Sequence, residues 1–139
     1  ATLPRAALIL FLVLMLSLAA GYVRFAPKLP VETPLWLAVN LLFTCLAEEA
    51  FFRGFVQAQL QRLLAGIPAG AIWALFTAAV LFGLAGAAGG ASYVALATVA
   101  GLGYGWVYLR TQRIEASIIT HFALNAVHFF FFTYPALAR

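Results

Sequence analysis

The sequence predicts an all-α fold: an integral membrane bundle of about five transmembrane helices, forming a single membrane domain over residues 1–139. Two observations carry this expectation. Hydrophobic residues make up 65% of the 139 and charged residues 9%, with a mean hydropathy of +1.03, whereas a soluble domain is about a quarter charged. The apolar residues also gather into five runs near the length that crosses a bilayer, divided by short breaks of proline, glycine or arginine. The bilayer is therefore the solvent in which the rest has to be read.

The first run, Ala6 to Val23, is just long enough to span, and Arg5 and Arg24 flank it. A signal peptide is the competing reading of Arg5, the apolar stretch and Ser17-Leu18-Ala19, but the segment continues directly into more membrane protein. Phe25 to Pro34 is a connector in which Pro27, Pro30 and Pro34 stop helices on either side. Leu35 to about Leu64 is the second helix, ended by Gly66-Ile67-Pro68. Ala69 to about Gly86 is the third, with Trp73 placed as an interface anchor, and Gly86 to Gly90 is an uncharged turn. The fourth, Ala91 to Leu109, carries Ala97, Gly101 and Gly105 at the spacing that lets two helices approach closely. Arg110 to Arg113 is a polar turn, and Ile114 to Tyr134 is the fifth helix, ended by Pro135.

The net charge of +4 comes from basic residues at the ends of these runs, where flanking anchors sit. Arg5, Arg62, Arg110 and Arg113 fall on one side and Arg24, Lys28 and Arg139 on the other, a slight excess marking the first side as cytoplasmic. No basic patch with interleaved polar residues exists, so nucleic acid is not an expected partner. Cys45 is the only cysteine, which excludes internal disulfides and cysteine metal clusters. The chain opens at Ala1 and not at Met, which points to a segment upstream.

Three ionisable residues interrupt the second helix: Glu48, Glu49 and Arg53. A charge at the bilayer centre costs roughly 2.5–3.5 kcal/mol on insertion scales, so each must pair, meet water or do chemistry. Glu49 and Arg53 are one turn apart and can pair as a buried structural ion pair. Glu48 lies about 100° round the helix and has no partner at that spacing. Asn40, Thr44 and Glu48 form one polar row, and Glu49, Arg53, Gln57 and Gln61 a second beside it, so this face looks into a bundle or a water-filled cavity. In the last helix His121, Asn125 and His128 share a face among apolar neighbours. Taken singly each would be read as interhelical hydrogen bonding. Together with an unpaired glutamate they suit a site where Glu48 takes a proton from water while histidine and asparagine hold an oxyanion.

The order of these motifs resembles the CAAX-processing and bacteriocin-processing (Abi-type) intramembrane endopeptidases. The resemblance rests on Glu-Glu-x-x-x-Arg at Glu48, Glu49 and Arg53, on Leu81 to Ala85 (LFGLA), and on His-x-x-x-Asn at His121 and Asn125, and covers roughly Leu35 to Tyr134. It implies a helical bundle with a polar cavity and proteolysis of membrane-associated or lipid-modified peptides. By carry-over Glu48 is the base, His121 and Asn125 lie beside the scissile carbonyl, and Glu49 and Arg53 support them. It further implies residence in a membrane, of the bacterial inner-membrane type. One departure stands out. The family's Phe-x-x-x-His would begin at Phe82, and its histidine position is Gly86. Three readings follow: a catalytically silent scaffold or immunity-type partner with this fold, an enzyme in which His128 takes over, or a chain altered at this position alone. The family is described both as metal-dependent and as glutamic. Since His121 and Glu48 supply two ligands where catalytic zinc usually has three, no metal or other cofactor is expected.

Overall fold

The computed structural model describes residues 2–136, so Arg139, counted among the flanking charges, lies outside the described residues. It is an all-α bundle of five main helices. α1 is Thr2–Ala19, α2 is Thr33–Leu63, α3 is Gly70–Ala85, α4 is Ala91–Thr111 and α5 is Ile114–Phe131. α2, α4 and α5 are long and apolar enough to cross a membrane, while α1 and α3 are shorter apolar helices packed beside them. The outer surface is apolar, with Phe11, Leu35, Phe43, Phe51, Phe55 and Trp73 all exposed, whereas Glu49, Arg53, Gln57, Ser117 and His121 are inside. That distribution is reversed from a soluble domain, and it is the one a bilayer selects.

α1 and α2 begin earlier than the sequence reading has them, at Thr2 and Thr33, with Pro34 inside the first turn of α2, and three C-terminal ends differ as well. α1 stops at Ala19 because Gly21 takes a left-handed conformation (φ +67°). The Tyr22 amide bonds to the Ser17 carbonyl and the Gly21 amide to that of Leu18, the paired bonds of a Schellman cap. α4 runs on to Thr111, leaving Gln112 (φ +52°) and Arg113 as the turn. α5 ends at Phe131 because Phe132 is extended (φ −129°) and pairs with Phe25 in an isolated antiparallel bridge. Through this bridge the α1–α2 connector clasps the end of α5: the Ala26 and Lys28 amides donate to the Phe131 and Phe130 carbonyls, and the Thr133 amide to that of Arg24. The Lys28 ammonium adds a hydrogen bond to the Phe132 carbonyl.

α2 is not a uniform α-helix. Asn40–Cys45 and Ala50–Gln57 are π-helical, with the Leu46 amide reaching the Leu41 carbonyl and the Ala58 amide that of Arg53. Bonding five residues back widens the helix, so each residue advances by less than the 100° of an α-helix. Residues four or five apart then stay on one face over a long stretch. Asn40, Cys45, Glu49, Arg53 and Gln57 are all buried in consequence.

α4 is the partner of this face. Gly101 sits so close to α3 that an added Cβ would stand 3.1 Å from the Phe82 ring and 3.3 Å from the Ala79 backbone. With no side chains at Gly101 and Gly105, their carbonyls are open to α2. Arg53 Nη2 donates to the Gly101 oxygen (3.2 Å) and Gln57 Nε2 to the Gly105 oxygen (2.9 Å). Two polar residues one turn apart on α2 thus meet two carbonyls one turn apart on α4. α1 closes over α4, with Val13 in a small core beside Ala100, Tyr104 and Leu124.

Candidate functional site

α5 begins after an extended Arg113, with Glu115 in its first turn, where a negative charge suits the helix dipole. The Ser117 hydroxyl donates to the Tyr104 carbonyl (2.9 Å), fixing α5 against α4, and one turn further on His121 points inward. Its imidazole stacks on the Tyr104 ring, centroids 4.4 Å apart and 15° between planes, and meets the Phe82 ring edge-on at 5.7 Å. His121 Nδ1 is 2.9 Å from Glu49 Oε1. An ionised Glu49 accepts in this bond, which puts the proton of the bond on Nδ1.

The other Glu49 oxygen faces Arg53, with Nε at 3.1 Å, both side chains fully buried. The pair is in ionic contact, but Glu49 Oε2 and Arg53 Nε are not aligned as a hydrogen bond. The guanidinium is otherwise held by the Gly101 carbonyl and by the faces of Phe82 and Tyr104, 5.1 and 5.9 Å from the ring centres. Glu49 is therefore a bridge between Arg53 and His121, not the partner of Arg53 alone.

His121 Nε2 is left facing Glu48, whose Oε2 is 3.9 Å away. That is too long for a direct hydrogen bond, and an oxygen lying off the line between them can touch both. The Glu48 side chain is 41% exposed where that of Glu49 is sealed. Neighbours in sequence, the two glutamates point to different solvents: Glu49 into protein, Glu48 into a cavity of about 240 Å³ between α1, α2, α4 and α5. With Arg53 cancelling Glu49, the cluster is neutral when Glu48 and His121 hold one additional proton between them.

Asn125, one turn beyond His121, lines the same cavity. Its Nδ2 donates to Asn40 Oδ1 (3.2 Å) and lies 3.6 Å from the Cys45 sulfur, while the Cys45 thiol itself donates to Asn40 Oδ1 (3.3 Å). His128 also borders the cavity, with Nε2 at 3.0 Å from the Thr133 carbonyl, so it ties down the turn that follows α5. Gly86 ends α3, and an added Cβ there would run into the ring of Tyr93. The structure thus gathers Glu48, Glu49, Arg53, Phe82 and His121 into one cluster, with Asn125 beside it on the cavity wall. Gly86 faces an aromatic ring.

Sequence reasoning passed over three groups at this site. Asn40 was legible as a member of the Thr44 and Glu48 row, but its bond to Asn125 depends on how α2 and α5 face each other. Tyr104 and Tyr93 carried no signal beyond being aromatic in an apolar helix, apart from the glycines at 86 and 89 that make room for Tyr93. The donors do not make a metal site. Glu49 spends one oxygen on His121 Nδ1 and the other on Arg53, leaving only Glu48 and His121 Nε2 free. Among the described residues no group of three His, Cys, Asp or Glu side chains is placed to hold a metal ion.

A family model described as type II CAAX prenyl endopeptidase, Rce1-like, matches residues 30–127. The matched stretch contains Glu48, Glu49, Arg53, His121 and Asn125, and leaves out α1 and His128. Comparisons with curated proteins and with solved structures gave no match.

Proposed function

Because the chain belongs to the Rce1-like family of type II CAAX prenyl endopeptidases, we propose that it is an active intramembrane endopeptidase using Glu48 to activate water. The observation that carries this is the relay at the cavity wall: Arg53 to Glu49, Glu49 to His121 Nδ1 at 2.9 Å, and His121 Nε2 facing Glu48 at 3.9 Å. Glu49, charge-balanced by Arg53, fixes the imidazole tautomer and plane. A water held between Nε2 and Glu48 gives its proton to Glu48 and attacks the scissile carbonyl. The tetrahedral oxyanion is held by Asn125 and by His121 Nε2, which donates with the imidazole in its doubly protonated form, and Glu48 then passes the proton taken from water to the leaving amine, restoring the site. Substrates are membrane-associated or lipid-modified peptides, reaching a cavity in which apolar walls are interspersed with polar side chains of α1, α2, α4 and α5.

The test is cleavage of a panel of prenylated and unmodified membrane peptides by the purified chain in detergent, beside Glu48→Gln. Turnover that Glu48→Gln abolishes, and that falls on acidification in the parent as its base is protonated, supports the reading. Gly86 favours a second reading, a catalytically silent member serving as a membrane scaffold or immunity-type partner. Peptide binding without cleavage in both parent and variant would establish that one instead.

A further inference from the structure

The relay occupies the α2 and α5 walls of the cavity, and the α4 wall opposite has a polar group of its own. Tyr93, in the first turn of α4, lines the same space as Glu48, His121 and Asn125. Its ring is there because positions 86 and 89 are glycine. A Cβ at Gly86 would collide with the ring edge, and one at Gly89 would lie 2.8 Å from Cγ and 2.9 Å from Cβ of Tyr93. A side chain at 86 and the ring at 93 are therefore alternative fillings of one volume. Tyr93 is 42% exposed.

In the resting structure the side-chain donors on α5 are directed elsewhere. Asn125 Nδ2 is turned to Asn40 and Cys45, His121 Nδ1 is spent on Glu49, and His128 Nε2 is held at the Thr133 carbonyl. An oxyanion needs donors aimed into the cavity and free when charge develops. A phenol O–H is a neutral donor that needs no added proton to serve. Resting on the protease reading, we propose that Tyr93 is a further catalytic residue, its hydroxyl donating a hydrogen bond to the scissile carbonyl oxygen as that oxygen gains negative charge. The ring takes the place that the family pattern gives to a histidine at position 86, so the missing group is supplied from α4 and not from α3.

The experiment follows turnover of whichever peptide the parent cleaves, in the full chain in detergent, with Tyr93→Phe, Tyr93→Ala and the double variant Tyr93→Ala with Gly86→His. Tyr93→Phe keeps the ring and its packing and removes only the donor. It is expected to lower kcat by about 10²–10³-fold, as loss of an oxyanion donor does, with KM and the thermal midpoint unchanged. Recovery of kcat by tenfold or more in the double variant over Tyr93→Ala supports the exchange of one filling for the other. A Tyr93→Phe variant whose kcat stays within twofold of the parent overturns the proposal, as does a change confined to KM. In either case Glu48-dependent turnover leaves the protease reading standing. A parent with no Glu48-dependent turnover overturns both.

Discussion

Glu48 and Glu49 differ in nothing but their position on the helix, and they are expected to fail in opposite ways when neutralised. Glu49 is sealed between Arg53 and His121, so Glu49→Gln leaves a guanidinium buried without its counter-charge. Breaking one partner of such a pair costs roughly 3–5 kcal/mol, which a thermal or denaturant unfolding curve in detergent will register. Glu49→Gln combined with Arg53→Met removes both charges and is expected to recover much of that loss, since apolar replacement of a buried pair is often neutral. Glu48 opens onto the cavity, and Glu48→Gln is expected to shift stability by no more than about 0.5 kcal/mol while abolishing turnover. Equal stability losses for the two single variants would contradict the assignment of one to structure and the other to chemistry.

At the scale of elements, the site depends on a register between α2 and α4. The π-helical stretches keep Glu49, Arg53 and Gln57 on one line, and the glycines of α4 let that line reach backbone oxygen at Gly101 and Gly105. A leucine at position 101 would press on Phe82 and on the Ala79 backbone and push α4 off both α3 and Arg53. Gly101→Leu is expected to cost about 1–3 kcal/mol by overpacking and to lower turnover with it, because Phe82 and Tyr104 also hold His121. Gly66, with open space around its Cβ position, is the control: Gly66→Ala should leave unfolding and turnover alike unchanged. The polar rows and the small-residue row were both legible as i+4 patterns in the sequence. What was not legible is that one row bonds to the other, since spacing along a helix fixes a face but not the helix it meets. The helix ends were harder still. Nothing local stops α5 at Phe131; the stop is the pairing of Phe132 with Phe25, more than a hundred residues away in the chain. Gly21 is the counter-example, a local signal overlooked because the apolar run continues past it to Val23.

Across the whole molecule, composition revealed the class because apolar residues outnumber what any core of this size can enclose, and the surplus covers the outside. The polar residues at the middle of the helices lie inside, and that is why the two motifs could be expected to share one buried cluster. Composition says nothing of which apolar residues matter, and the structure separates them. Phe43 is 75% exposed on the lipid-facing side of α2, where lipid tails replace any neighbour it loses and no hydrophobic drive holds it. Phe129 is 6% exposed, stacked on Trp36 with centroids 4.0 Å apart and edge-on to Tyr134 at 5.3 Å, at the end of the bundle where the connector clasps α5. Removing its ring leaves a void that neither lipid nor the Lys28–Phe132 contact can fill. In lipid bicelles Phe129→Ala is therefore expected to destabilise by roughly 3 kcal/mol or more through lost packing, and Phe43→Ala by less than about 0.5 kcal/mol. Moved into detergent of shorter chain length, the gap should persist, because it comes from protein contacts and not from the solvent around them. Comparable losses for the two would mean that the outer surface is also packed against protein, and that the bundle described here is one face of a larger assembly.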